Sequence, residues 1–164
     1  MNERLERLIQ VALTFIGIKE TSPNEGAMIE EFQKSVDGKY NREAWCMAFV
    51  QYCIKQVEKE TSFESPVYKS ESCMQVWEKS PQMIRIKDPV PGSIMIWKVT
   101  SDINPNAGHA GIVIPSYYKD PDIFDVIEGN TSTDGSKFDG VNIKIRTRQG
   151  SSKFKPQGWL LPWI

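Results

Sequence analysis

The feature that most constrains this chain is a change in the period of its apolar residues near residue 80. Before it they recur at the three- and four-residue spacing of helices; after it they come in short runs and strict alternation, the two-residue repeat of strands. Leu5, Leu8, Ile9, Ala12, Leu13 and Ile16 predict an amphipathic helix over 3–16, ended by Gly17. A short helix is expected near 26–35, a central one over 44–58, and another over 72–79 with Met74, Val76 and Trp77 inside. Beyond Pro89, Pro91 and Gly92, the runs SIMIW, GHAGIVI and FDVIEGN read as strands. In VNIKIRTR, Val141, Ile143 and Ile145 alternate with Asn142, Lys144 and Arg146, the pattern of a strand with one solvated face. GWLLPWI reads as a closing strand tied down by Trp159 and Trp163. Helices first and strands second predict an α+β fold. Its N-terminal helices (about 1–80) would pack on a C-terminal antiparallel sheet (about 90–164) in a single domain.

At 164 residues the chain is long enough to bury about two thirds of its unfolded surface. Twenty basic residues against twenty-one acidic ones, with no basic block, argue against nucleic acid or an anionic membrane surface as the main partner. No run approaches the roughly twenty apolar residues of a membrane span, so no membrane insertion is expected. Charges at 3, 4, 6 and 7 do not make a signal peptide. The expectation is a protein made in the cytoplasm, monomeric, and delivered by other means if its substrate lies outside. Three cysteines without a CxxC pair favour free thiols over a disulfide framework or a zinc site, and neither a metal nor a cofactor is expected.

Cys46 opens the central helix, whose Phe49, Val50, Cys53, Ile54 and Val57 form one apolar face. Unpaired N–H groups and the partial positive charge of a helix start stabilise a thiolate, which would make Cys46 a nucleophile. The plainer reading makes it the first residue of a core stripe. The choice turns on the rest of the chain. His109 is the one histidine, so any thiol hydrolase here must use it as its base. It opens a strand, with Gly108 and Gly111 nearby as small residues that would leave its ring approachable. Glu128 and Asn130 lie two apart on one strand face, where a carboxylate able to orient the imidazole would belong. A strand-end carboxylate reaching water is the alternative. The ordered set of helix-start cysteine, strand histidine and strand carboxylate matches papain-like cysteine enzymes. Cys53 and Cys73 read as structural. Trp45 and Trp97 are candidates for a substrate groove, or for packing.

These segments resemble the CHAP domains, the cysteine, histidine-dependent amidohydrolases/peptidases. EAWCMAFVQYC is similar to their nucleophile helix, VPGSIMIW to their proline-glycine strand opening, GHAGIVI to their histidine strand, and IEGN to their glutamate-x-asparagine element. GIKETSPNEG resembles the N-terminal portion of phage-type members. Trp45 and Met47 distinguish the pattern from NlpC-type enzymes, which usually carry aspartate before the nucleophile and serine after it. The resemblance implies a papain-like fold, with Cys46 as nucleophile, His109 as base, Glu128 as orienting acid and Asn130 as accompanying polar residue. It also implies bacterial peptidoglycan as partner and cleavage of an amide bond in it, between sugar and stem peptide or within the peptide. Glu20 and Asn24 would shape the groove before the thiol. Only Asp37 and Glu43 are acidic in VDGKYNREAWC, too few for the calcium site of some phage members. The setting expected is a phage endolysin released by a pore. An injected effector, a non-catalytic wall-binding module and a protein deamidase stay open as alternatives.

Overall fold

The computed structural model of the protein describes residues 2–101, 103–132 and 138–164. Four helices come first: α1 (Glu3–Leu13), α2 (Ala27–Asp37), α3 (Cys46–Thr61) and α4 (Cys73–Lys79). Six strands follow: β1 (Arg85–Ile86), β2 (Ile94–Val99), β3 (Gly108–Ile114), β4 (Ile123–Thr131), β5 (Gly140–Thr147) and β6 (Phe154–Leu160). The strands form one sheet in the order β1-β6-β2-β3-β4-β5, with antiparallel pairing throughout. This is the expected α+β arrangement of N-terminal helices and a C-terminal sheet.

Local chemistry sets the helix limits. The side chain of Asn2 caps α1 through the N–H of Arg4, and Ser72 caps α4 through the N–H of Gln75. α2 ends at Gly38, whose positive φ of 81° suits the left-handed cap. α1 stops at Leu13 rather than residue 16, and both Leu13 and Ile16 are exposed. The apolar spacing continues, but the chain turns away to pair with β5, Gly17 N–H donating to the carbonyl of Val141.

The sheet carries two apolar layers. Ile94, Ile96, Ala110, Ile112, Ile127 and Leu160 face the helices in the larger core, while Met95, Trp97, Val113, Phe124, Val126 and Trp159 form a smaller cluster. α3 lies at the centre of the larger one. Its first turn is sealed on all sides, with Cys46, Met47, Ala48, Phe49 and Val50 buried, so the start of the helix cannot swing. Gly129 lets β4 come down on it, since a Cβ there would lie 2.8 Å from the Trp45 ring and 2.9 Å from Phe49 Cβ.

Two strand readings change. The closing strand runs over Phe154–Leu160, earlier than GWLLPWI. It begins in polar sequence because its place is set by pairing between β1 and β2, where the register shifts by a bulge at Ile96/Trp97. In β5 the alternation is present, but beyond Val141 the solvated side is the isoleucine side: Ile143 is 43% and Ile145 61% exposed. Asn142, Lys144 and Arg146 turn inward, each donating a hydrogen bond to β4 or the residue just after it. Alternation fixes which residues share a face, and only the tertiary fold decides which face is covered.

Candidate functional site

The N–H groups at the start of α3 fall ahead of the helical ladder, whose first bond runs from Phe49 N–H to the carbonyl of Trp45. Cys46 stands there, 3% exposed, at the floor of a cleft of about 1050 Å³. His109, from the start of β3, and Asn130, from the end of β4, line the same cleft. The sealed first turn and the sheet therefore aim the thiol and the imidazole into one space.

The imidazole is held on several sides. Its Nε2 lies 2.8 Å from Glu128 Oε2, which leaves Nδ1 as the nitrogen to face the thiol. Phe154 stacks on the ring at 5.3 Å between centroids, and Trp97, its cross-strand partner, lies at 6.0 Å. Glu128 is fully buried and accepts two further bonds, from Arg146 Nε and a terminal guanidinium nitrogen, both 2.6 Å long. The guanidinium in turn covers the faces of Phe154 and Trp97 at 4.8 and 5.3 Å. A carboxylate gripped by Arg146 presents one fixed oxygen to His109.

These neighbours set the protonation states. Burial disfavours charge on Glu128, but the positive charge of His109 and the hydrogen bonds from Arg146 and His109 outweigh it and bring the carboxyl down to about 2. Burial likewise opposes a charged His109, yet the Glu128 carboxylate and the Cys46 thiolate overcome it and raise the imidazole to about 10. Cys46 is held well below an ordinary thiol. The hydrogen bond from the Cys73 thiol does most of this, against burial, with His109 and the backbone at Ala110 adding to it. These directions all favour a thiolate–imidazolium pair backed by a carboxylate. That is the state required for attack on a carbonyl followed by protonation of the leaving group.

The remaining expected site residues sit elsewhere. Trp45 is fully buried, stacked on Phe32 at 5.8 Å, and Trp97 is 1% exposed behind the His109 ring; both support the site from within rather than line the cleft. Glu20 is also inward. Its carboxylate accepts from Trp45 Nε1 at 2.8 Å, Asn24 N–H at 3.0 Å and Asp139 N–H at 3.1 Å, tying three distant segments together beside the helix start. Asn24 takes part through its backbone, at a positive φ of 60°. Asn130, with φ 57°, sits at the bulge that ends regular β4–β5 pairing. Gly108 and Gly111 make room for neighbours rather than for a ligand: a Cβ at 108 would meet Cys73 Cβ at 2.7 Å, and one at 111 would meet Glu128 Cγ at 2.8 Å.

Three contributors escape a reading of the sequence. Arg146 lies on the polar face of a strand, which reads as the solvated one, Phe154 in a polar stretch, and Cys73 at a helix start distant in sequence. Cys73 Sγ lies 3.7 Å from Cys46 Sγ. Around them the cleft wall carries Glu43 and Glu71 on one part and Lys144 and Lys153 on another. Burial, chiefly, raises the Glu71 carboxyl. Among the described residues, no group of three or more potential ligands could hold a metal ion, and no helix is long and apolar enough to cross a membrane.

No curated protein and no solved structure shows significant similarity to the chain. The family model of the CHAP domain matches residues 38–130, a span that opens just before α3 and runs through β3 to Asn130. With more than half of its length matched, the chain belongs to the CHAP domain family, whose members act at the family level as amidases or peptidases on peptidoglycan.

Proposed function

We propose that the protein hydrolyses an amide bond of bacterial peptidoglycan, with Cys46 as nucleophile, His109 as general acid and base, and Glu128 as the residue that orients the imidazole. The observation that carries this reading is the 2.8 Å bond from His109 Nε2 to a buried carboxylate, at a histidine that shares its cleft with a helix-start thiol. The thiolate attacks the amide carbonyl, and the oxyanion is met by N–H groups at the start of α3. Such a donor is worth about 3 kcal/mol of barrier. The imidazolium protonates the departing amine, leaving an acyl-enzyme, and then activates the water that releases the acid. Asn130, on the cleft wall, supplies a polar contact to the bound chain. The cleft, at about 1050 Å³, has room for a peptide segment.

The biological setting we favour is that of a phage-type endolysin, acting as a monomer and reaching the wall through a pore. The likeness of GIKETSPNEG to phage-type members supports it. Purified peptidoglycan is the test substrate. Mass spectrometry of the released fragments should show either free stem peptides, the product of an amidase, or cut peptides, the product of an endopeptidase. Fragments released equally by Cys46→Ala, or no fragments from any wall chemotype, would overturn the proposal.

A further inference from the structure

Cys46 and Cys73 reach the cleft floor from two different helix starts, with their sulfurs 3.7 Å apart and unbonded. In the hydrolytic steps above Cys73 serves only as a hydrogen-bond donor to the thiolate, and its sulfur forms no covalent bond. The approach is built into the backbone. Both cysteines hang over the first residue of β3, where Cys46 Sγ lies 3.9 Å from the carbonyl oxygen of Gly108 and where a Cβ at 108 would collide with Cys73 Cβ. Closing from 3.7 Å to the roughly 2 Å of a disulfide asks each sulfur to move by about 0.8 Å. Cys53 has no such neighbour among its described contacts; it is fully buried within α3.

We infer that Cys46 and Cys73 form an oxidisable dithiol, in which a hydroperoxide converts the nucleophile to an intramolecular disulfide that a thiol reductant reverses. The inference rests on the reading of Cys46 as a thiolate nucleophile. In the first step the Cys46 thiolate attacks one peroxide oxygen. An S–O bond forms, the O–O bond breaks, and the departing hydroxide (or alkoxide) takes up a proton, leaving a sulfenic acid. In the second step Cys73 sulfur attacks Cys46 sulfur. The S–S bond forms, the S–O bond breaks, and the hydroxide leaves as water with the Cys73 proton. Two electrons pass from the two sulfurs to the peroxide.

The electrostatics favour this order. While Cys46 is a thiolate, its hydrogen bond and charge hold Cys73 protonated, well above an ordinary thiol. Once Cys46 carries oxygen, that charge is gone and the imidazolium of His109 remains, so Cys73 loses its proton more readily. Cys73 thereby captures the sulfenic acid before further peroxide carries Cys46 to the irreversible sulfinic acid.

The test treats wild-type protein with a few equivalents of hydrogen peroxide, counts thiols after denaturation, and maps trypsin-cut peptides. The expected result is a fall from three free thiols to one, with Glu43–Lys55 cross-linked to Ser70–Lys79 through Cys46, as fragmentation within the first peptide shows. Dithiothreitol should restore all three thiols and, with them, wall cleavage. In Cys73→Ala, excess peroxide should instead add two oxygens to Cys46, and dithiothreitol should recover little activity. A wild-type Cys46 oxidised to sulfinic acid without cross-link, or three thiols still free, would overturn the inference. So would a cross-link through Cys53. Thiol counts and peptide maps need no wall substrate, so a protein inactive on peptidoglycan still tests the dithiol. Conversely, an active enzyme without the cross-link leaves the hydrolase reading standing.

Discussion

Arg146 donates to both carboxylate oxygens of Glu128, at 2.6 Å each, from the strand next to it in the sheet. Removing one partner of such a buried pair costs about 3–5 kcal/mol because the remaining charge is left without compensation. Arg146→Met should therefore lower stability by that order in urea unfolding. It should also cut wall-lytic activity at least about tenfold, since a mobile carboxylate no longer fixes the imidazole. The Glu128 carboxyl should titrate higher, moving the acid limb of the pH–rate profile upward. Arg146→Lys, one donor in place of two, should fall between. An unmoved acid limb in Arg146→Met would count against this role.

Alkylation should single out Cys46. It is the thiol with a lowered proton affinity, whereas burial raises Cys53, and the bond to Cys46 together with burial raises Cys73. Near neutral pH, iodoacetamide should label Cys46 at least about tenfold faster than either of the others. Cys73→Ala removes the strongest influence holding the thiolate. Thiolate absorbance should then titrate at higher pH, because the charge loses its hydrogen-bond donor. Cys46→Ala should abolish wall cleavage, while Cys53→Ala should remain active.

The same protonation states predict how stability depends on pH. Glu128, lowered to about 2 from an ordinary 4.5, stabilises the fold fully above 4.5 and loses that contribution as pH falls through 2. His109, raised to about 10 from 6.5, stabilises fully below 6.5 and loses its contribution as pH climbs through 10. Cys46, lowered from 9.0, contributes fully above 9.0 and less below it. Between 6.5 and 9.0 the falling share of His109 and the rising share of Cys46 oppose each other. Urea midpoints should form a plateau there, dropping below 6.5 and again above 9.0. Cys46→Ala should convert the plateau into a slope that descends with pH.

Gly129→Ala should damage the site from behind. The added methyl meets the Trp45 ring and Phe49 Cβ at under 3 Å, where the helix start has no room to yield. Overpacking of this kind costs roughly 1–3 kcal/mol. A lowered melting temperature is expected, together with a slower alkylation of Cys46 if the first turn of α3 is displaced.

The order of elements and the cysteine–histidine–glutamate set were legible because each rests on a local signal: apolar period, a helix start, a single histidine, a carboxylate where a strand would otherwise be apolar. What was hidden depends on how distant segments meet. VNIKIRTR declares two faces and not which one is covered, so Arg146 read as solvated. Cys73 lay at a helix start with no base near it in sequence, and its place beside Cys46 follows from the close approach to β3 that Gly108 permits. Trp45 and Trp97 carry the side chains of groove residues, yet the aromatic packing of Phe32 and of His109 with Phe154 encloses them.

The sheet order bears on when activity arises during synthesis. A ribosome delivers α3 with Cys46 first, His109 and Glu128 later, and the Arg146 guanidinium and Phe154 ring that hold them last, on β5 and β6. β6 must then insert between β1 and β2, two strands made well before it. An unfinished or clipped chain carries the two thiols without the groups that clamp the imidazole and its carboxylate, so the full set of site residues comes together only when the last strand is in place.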